Sequence, residues 1–277
     1  MVIPRQINWG TRENVLHEIL KKTERINSLG YKWTQGNFQQ VVSTTTTTTT
    51  FPELSTKAIA WYDMEETSGS VLVDEKGVYN GTIGTNVTID QTGLPGQAHA
   101  YAAAAINYYD YVADNDVFSL DNLKSISIWF NLTTMSTASR IIGKANEWYI
   151  EIATAGYIRV RCYDTSGTSI WHGRQSASGL ITTGTDYHLV INIIDAVNKQ
   201  FEIYLDDVLL SANDSSSGTM TAIANNANSV NIGGEAGSSA KPVGTISQFV
   251  LYNNSLTSTG IATLYNSGSG ISYGDID

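Results

Sequence analysis

Hydrophobic residues recur at every second position through much of this chain. In the run SISIWF, Ile126, Ile128 and Phe130 fall on one face; in FEIYL, Phe201, Ile203 and Leu205 do the same. Such alternation predicts antiparallel strands buried on one side. Further short apolar runs lie at 148–153, 157–163, 187–194, 229–232 and 246–252, separated by clusters of Gly, Asn, Asp and Ser. Pro95 and Pro242 sit in turn-like segments, as a sheet requires. The pattern predicts a two-sheet β-sandwich of a dozen or so strands over residues 55–277.

The first fifty residues read differently. Residues 12–29 have helical periodicity, with Thr11 as N-cap, Glu13 in the first turn and Gly30 as the terminating residue. Leu16, Ile19, Thr23 and Ile26 follow the a/d rhythm of a short coiled coil about 27 Å long. One such helix is marginal alone in water, so it is expected to pair with copies of itself or to dock on a surface, unless it packs on the domain that follows. Ser43 and seven threonines, Thr44 to Thr50, then form an extended spacer closed by Pro52, because β-branched side chains disfavour helix and a homopolymer cannot fix a register. The expected organisation is a helical arm at 1–42, a Thr-rich linker at 43–54 and the sandwich at 55–277. Trp9, Leu16, Ile19 and Ile26 are the candidate attachment and oligomerisation residues of the arm.

Charge sharpens this division. Residues 1–50 carry six Lys/Arg against three Asp/Glu, whereas residues 51–277 carry ten against twenty-three. An acidic domain is repelled by nucleic acid and by anionic membrane, so neither is expected as a ligand. The lone cysteine, Cys162, excludes an internal disulfide and reads as a small buried residue. The start, MVIPRQINWG, lacks the layout of a signal peptide, and no apolar run reaches the ~18–20 residues that span a bilayer.

Candidate chemistry begins in the stretch 58–82, read as an opening hairpin, where Asp63, Glu65, Glu66, Asp74 and Glu75 fall within thirteen positions. Asp63 and Asp74 are placed to offer oxygens to calcium, which takes carboxylates and carbonyls from loops; Glu65, Glu66 and Glu75 read as solvated surface. Asp114-Asn115-Asp116 lacks the glycine and glutamate that an EF-hand needs. His17, His99, His172 and His188 are scattered and make no metal motif, and no Gly-x-Ser-x-Gly or phosphate loop is present. Sugar binding needs exposed aromatic faces with polar helpers. Tyr163 and Trp171, with Asp164 and Arg174, occupy loop-like positions in CYDTSGTSIWHGR, and Tyr108, Tyr109 and Tyr111 form a second cluster. Trp61, Trp129 and Trp148 read as core.

Several motifs in order resemble the laminin-G-like, concanavalin A-like jelly-roll family over residues 58–266. These are AWYDMEETSGSVLVDEKGVYNGT, Gly96 to Tyr101 with Tyr111-Val112-Ala113-Asp114, Trp129 within its strand, Tyr187-His188-Leu189-Val190, Tyr204-Leu205-Asp206-Asp207, and the closing Ile232-Gly233-Gly234 to Leu264-Tyr265. The resemblance implies an all-β, two-sheet antiparallel jelly roll. It also brings glycoside hydrolases into view, yet the Glu-x-Asp-x-x-Glu pattern of related glucanases is absent, so no enzyme is expected. Two departures stand out. Asp207 replaces a hairpin glycine, which implies an Asp-Asp turn at φ > 0, and Ser247 stands where the last strand usually carries Asp, near the family's calcium region.

The arm, INWGTRENVLHEIL followed by polythreonine, resembles the anchoring start of bacteriophage virion proteins. Together the two resemblances imply a noncatalytic phage fibre or decoration subunit on the particle surface. It would be anchored to a capsid or tail protein through residues 1–50, be a homo-oligomer, and show host glycans or proteins a binding domain. No cofactor is required, and calcium is the possible one. The alternatives are a bacterial carbohydrate-binding module or adhesin and, behind it, a glycoside hydrolase.

Overall fold

The structure is a computed structural model, and it describes residues 31–34, 37–40, 52–102, 108–135, 137–235 and 239–276. The chain divides into two compact units, residues 1–49 and 50–277. In the first unit, β1 (Tyr31–Thr34) and β2 (Asn37–Gln40) form an antiparallel hairpin with Trp33 opposite Phe38. The predicted helix at 12–29, with Leu16, Ile19 and Ile26, lies outside the described residues, as do Trp9 and the threonine run.

The second unit opens with helix α1 (Pro52–Lys57), β3 (Ala58–Tyr62), β4 (Val71–Leu72) and β5 (Gly81–Thr82). There follow β6 (Thr88–Thr92), β7 (Gln97–Tyr101), β8 (Asp110–Val112), β9 (Ser125–Thr134) and β10 (Ser139–Lys144). The middle of the chain supplies β11 (Trp148–Ile152), β12 (Ile158–Asp164), β13 (Gly167–Ser176), β14 (Asp186–Asp195) and β15 (Gln200–Leu205). It closes with β16 (Val208–Leu209), β17 (Ala212–Ser217), β18 (Val230–Ile232), β19 (Val243–Tyr252) and helix α2 (Ser258–Tyr265).

These strands form two antiparallel sheets. One has nine strands in the order β17-β13-β12-β11-β10-β18-β8-β5-β4; the other has eight, β16-β15-β14-β9-β19-β7-β6 with β3 also paired to β19. The alternation read from the sequence sets the core: Ile126, Ile128 and Phe130 from β9 and Phe201, Ile203 and Leu205 from β15 meet Ile150, Ile158, Val160 and Cys162 from the opposing sheet. Cys162 is fully buried, and burial pushes its thiol up to about 12. Trp61, Trp129 and Trp148 are buried, as expected.

The stretch 58–82 is not a hairpin. β3 pairs with β19 in the eight-stranded sheet, whereas β4 pairs with β5 in the other, so the segment crosses between sheets. The carboxylate of Asp74 fixes the crossing by accepting the backbone amides of Trp61 at 2.9 Å, Lys76 at 3.1 Å, Val78 at 3.0 Å and Tyr79 at 2.9 Å. At the far end, Asp206 and Asp207 do form the expected two-residue turn, at φ 49° and 62°, linking β15 to β16.

The outer face of the eight-stranded sheet is covered. Trp61, Val190, Val250 and Tyr252 pack against Leu54, Leu256, Ile261 and Leu264, which come from α1 and the α2 region. Helix α2 follows Thr257, whose side chain accepts the Gly260 amide at 3.1 Å, and it ends at Asn266 in the left-handed conformation. Beside it Trp129, His188 and Tyr265 stack with interplanar angles of 23° or less.

Candidate functional site

The nine-stranded sheet turns a different face outward. In β11 and β12 the even positions enter the core, so Tyr149 and Glu151, and Arg159, Arg161 and Tyr163, point away from it. Strand pairing lines these residues up in transverse rows. One row runs Thr82, Tyr111, Asn231, Gly143, Tyr149, Arg161, Gly173. The adjacent row runs Arg140, Glu151, Arg159, Gln175.

The two rows are chemically unlike. In the second, charges alternate and are satisfied: Arg159 reaches Glu151 at 2.9 Å within the row, and Arg140 binds Glu235 beside it. Burial works against the charge of Arg140, but Glu235 outweighs it and raises the guanidinium above its ordinary range. In the first row the guanidinium of Arg161 lies 3.5 Å from the ring centre of Trp171 and 5.6 Å from that of Tyr149, whose other neighbour is the Arg140 guanidinium at 4.1 Å. Arginine and aromatic residues thus alternate across β10, β11, β12 and β13, each contact contributing about 0.5–1 kcal/mol where exposed and more where water is excluded. The row needs its glycines. A Cβ on Gly173 would fall 2.0 Å from the Val160 carbonyl oxygen, and one on Gly143 would fall 2.7 Å from Tyr149 Cβ.

At the other end of the row, Tyr109 and Tyr111 line a cleft of about 230 Å³ with Ala145, Asn228, Ser229 and Asn231. The same two tyrosines also line a smaller cleft with Thr82, Ile83, Gly84 and Thr85. The two rings meet edge to face, with centres 6.5 Å apart, and Tyr111 is 39% exposed. Asn226 and Asn228 both donate side-chain N–H to the Ala145 carbonyl, at 3.0 and 2.8 Å, which holds the opposite wall.

The sequence-predicted residues divide accordingly. Trp171 and Tyr163 stand opposite each other in the β12–β13 ladder, on strands rather than in a loop. Tyr109 is half-buried at the cleft, but Tyr108 is buried and donates its hydroxyl to the Glu235 carbonyl at 2.7 Å, so it does not join Tyr109 on the surface. Asp164 is a buried loop staple, accepting from Ser166 and from the Thr221 amide at 2.7 Å, and these bonds hold its carboxyl below the usual range. Arg174 lies on the opposite face of β13 from Trp171 and donates to the Ala212 carbonyl. Sequence reasoning passed over Arg161, Arg140 and Tyr149, although Arg161 shares the period-2 face of Tyr163 and could have been found from it.

The expected calcium ligands are occupied by protein donors. Asp63 accepts from Trp61 Nε1 at 2.6 Å, Gln248 Nε2 at 2.7 Å and the Tyr273 amide at 3.0 Å, and Asp74 accepts four backbone amides as described. Ser247, where the resemblance led us to expect Asp, donates to the Leu94 carbonyl. Asp114 lies 2.9 Å from the buried Lys144 ammonium, which also meets Glu147 at 2.7 Å. Glu66 is not solvated surface. With Asp110 it brackets the buried His99 at 2.9 and 2.7 Å, and although burial opposes an imidazolium there, the two carboxylates raise its pKa to about 9. Among the described residues no three His, Cys, Asp or Glu side chains converge as a metal set, and no helix is long and apolar enough to cross a membrane.

The family model described as the concanavalin A-like lectin/glucanases superfamily matches residues 106–262. The chain belongs to that superfamily. Its fold is similar to the binding domain of Paraclostridial Mosquitocidal Protein 1, at TM-score 0.61 and 16% identity over 77% of this chain and 53% of that one. It is also similar to the binding domain of botulinum neurotoxin serotype D, at 0.58 and 14% over 78% and 53%. Trypanosoma rangeli sialidase matches at 0.55 and 16% over 94% and 40%. The chain thus spans about half, or less, of the length of these structures. At such identities the likeness shows a shared fold, which serves both binding domains and an enzyme. A comparison with curated proteins found no match.

Proposed function

We propose that this protein is a noncatalytic, adhesin-type glycan-binding protein, and that its sugar lies on the outer face of the nine-stranded sheet. The observation that carries this reading is the Tyr109–Tyr111 cleft with its amide and hydroxyl lining. A sugar ring presents an apolar face suited to tyrosine and a rim of hydroxyls suited to Asn and Ser. The opposite outer face is closed by α2 and its neighbours, which supports the nine-stranded sheet as the binding side. The carboxylates on this side, Glu151 and Glu235, serve as counter-ions to Arg159 and Arg140, which supports a binding role over acid–base work. The binding-domain relatives support this reading, and neither the sandwich nor the comparisons bear on a phage particle. A glycan array probed with the full chain tests it. Binding is expected and should be abolished by Tyr111→Ala. Binding untouched by that change would place the sugar elsewhere, and turnover of any bound oligosaccharide would overturn the noncatalytic assignment.

A further inference from the structure

All four arginines of residues 51–277, Arg140, Arg159, Arg161 and Arg174, fall on β10, β12 and β13, within four successive strands of the sheet in an acidic domain. Three of them face outward. Arg140 and Arg159 are neutralised by Glu235 and Glu151. Arg161 differs: among the described residues its guanidinium meets no carboxylate and makes no hydrogen bond, whereas its buried, unpartnered Nε is a feature it shares with Arg140 and Arg174. Its contacts are the rings of Trp171 and Tyr149, and the nearby carboxylates Glu151 and Glu235 are already taken.

We infer that Arg161 is the anion-reading residue of this face, and that the glycan it takes carries an isolated carboxylate or sulfate. This inference rests on the glycan-binding reading and narrows it to a class of sugar. Three considerations lead to it. Stacking on Trp171 uses the flat face of the guanidinium, and its Nε is buried, which leaves the in-plane edge of the two terminal nitrogens as the part that can meet a ligand. That edge is a rigid fork of donors, and its matching partner is a planar carboxylate or a sulfate bound through two oxygens. Finally, residues 51–277 carry ten Lys/Arg against twenty-three Asp/Glu, so a polyanion meets net repulsion as it approaches. Recognition must be short-ranged, and a single acidic group on an otherwise neutral oligosaccharide satisfies that condition. Arg161 stands four strands from Tyr111 along one row, about 19 Å at the usual strand spacing, so an extended oligosaccharide can engage both ends.

The experiment measures binding of the full chain to lactose, sialyl-lactose, a glucuronate-terminated oligosaccharide, monosulfated lactose and a heparin fragment. The expected result is that at least one singly charged probe binds more tightly than lactose. Arg161→Gln should weaken that probe roughly tenfold or more and lactose far less, and Arg161→Lys should restore part of the loss. Carboxylate and sulfate sources are separated by which probe responds. The methyl ester of the carboxylated probe, tested on the unaltered protein, should bind like lactose, which secures the result even if the variants fold poorly. Equal binding of the acid and its ester, indifference to Arg161→Gln, or preference for the heparin fragment would each overturn the inference. If lactose binding is retained and still lost in Tyr111→Ala, the glycan reading stands without it; if no probe binds, both fall.

Discussion

Trp171 and Arg174 lie on opposite faces of β13. Trp171 pairs with Tyr163 and packs with Tyr149 and Ala224 on the outside, whereas Arg174 pairs with Val160, a residue of the main core. Three positions along a strand always reverse the face, so the two side chains cannot serve one ligand. Trp171→Ala is therefore expected to weaken binding of a singly charged glycan, because it releases the Arg161 guanidinium. Arg174→Ala, whose nearest ion-pair partner Asp214 is 3.6 Å away and partly exposed, should leave binding intact and cost about 1 kcal/mol or less. Affinity on the array and denaturant melts of both variants check this; a binding loss in Arg174→Ala alone would refute the face assignment.

His99 should make the fold sensitive to alkali. Its folded pKa is raised to about 9 by Asp110 and Glu66 against burial, while the unfolded value is about 6.5. The stabilisation is then complete below about pH 6.5 and disappears as pH rises through about 9, an effect of order 3 kcal/mol. Urea unfolding of His99→Gln should show lower stability than the parent near neutral pH and a flatter profile across that window. Parallel profiles for parent and variant would contradict the bridge.

His188 acts at the acid end. Burial in the Trp129–His188–Tyr265 stack pushes its pKa down to about 3, so the neutral ring is the folded form. Between about 6.5 and about 3 the unfolded chain binds the extra proton, and stability should fall as pH falls through that range. His188→Gln is expected to flatten the acid limb of the melting-temperature profile while lowering stability at neutral pH. An unchanged acid limb would show that other groups govern acid unfolding.

Asp74 tests the crossing between sheets. Replacing it with Ala strands four backbone amides, and the cost should reach at least about 3 kcal/mol in a denaturant melt. Since those amides occupy the carboxylate, millimolar calcium should leave the melting temperature of the unaltered protein unchanged. A calcium-dependent rise would restore Asp63 and Asp74 as ligands.

Much of the sandwich was legible because burial on one side imprints itself as alternation. Strands β9 and β15 carry it plainly, and β11, β12, β14, β18 and β19 stand out as short apolar runs. Strand β13, GTSIWHGRQS, and β17, ANDSSS, do not, because they approach the sheet edge and pack few apolar side chains, so they read as loop. Helix α2 was missed for a related reason. It is eight residues long and shows the core little more than Ile261 and Leu264.

Local periodicity was enough to specify the two-sheet sandwich and the burial of Trp61, Trp129 and Trp148, and the laminin-G-like resemblance to place the Asp206-Asp207 turn. Which strand lies beside which came from the folded chain alone. That pairing sent β3 and β4 to different sheets and turned Asp63 and Asp74 from offered ligands into internal acceptors. It also aligned Tyr111, Tyr149 and Arg161, spread over fifty residues, into one row. Alternation tells a residue which side of its strand it occupies; strand order and register, set by contacts distant in sequence, decide what it meets there.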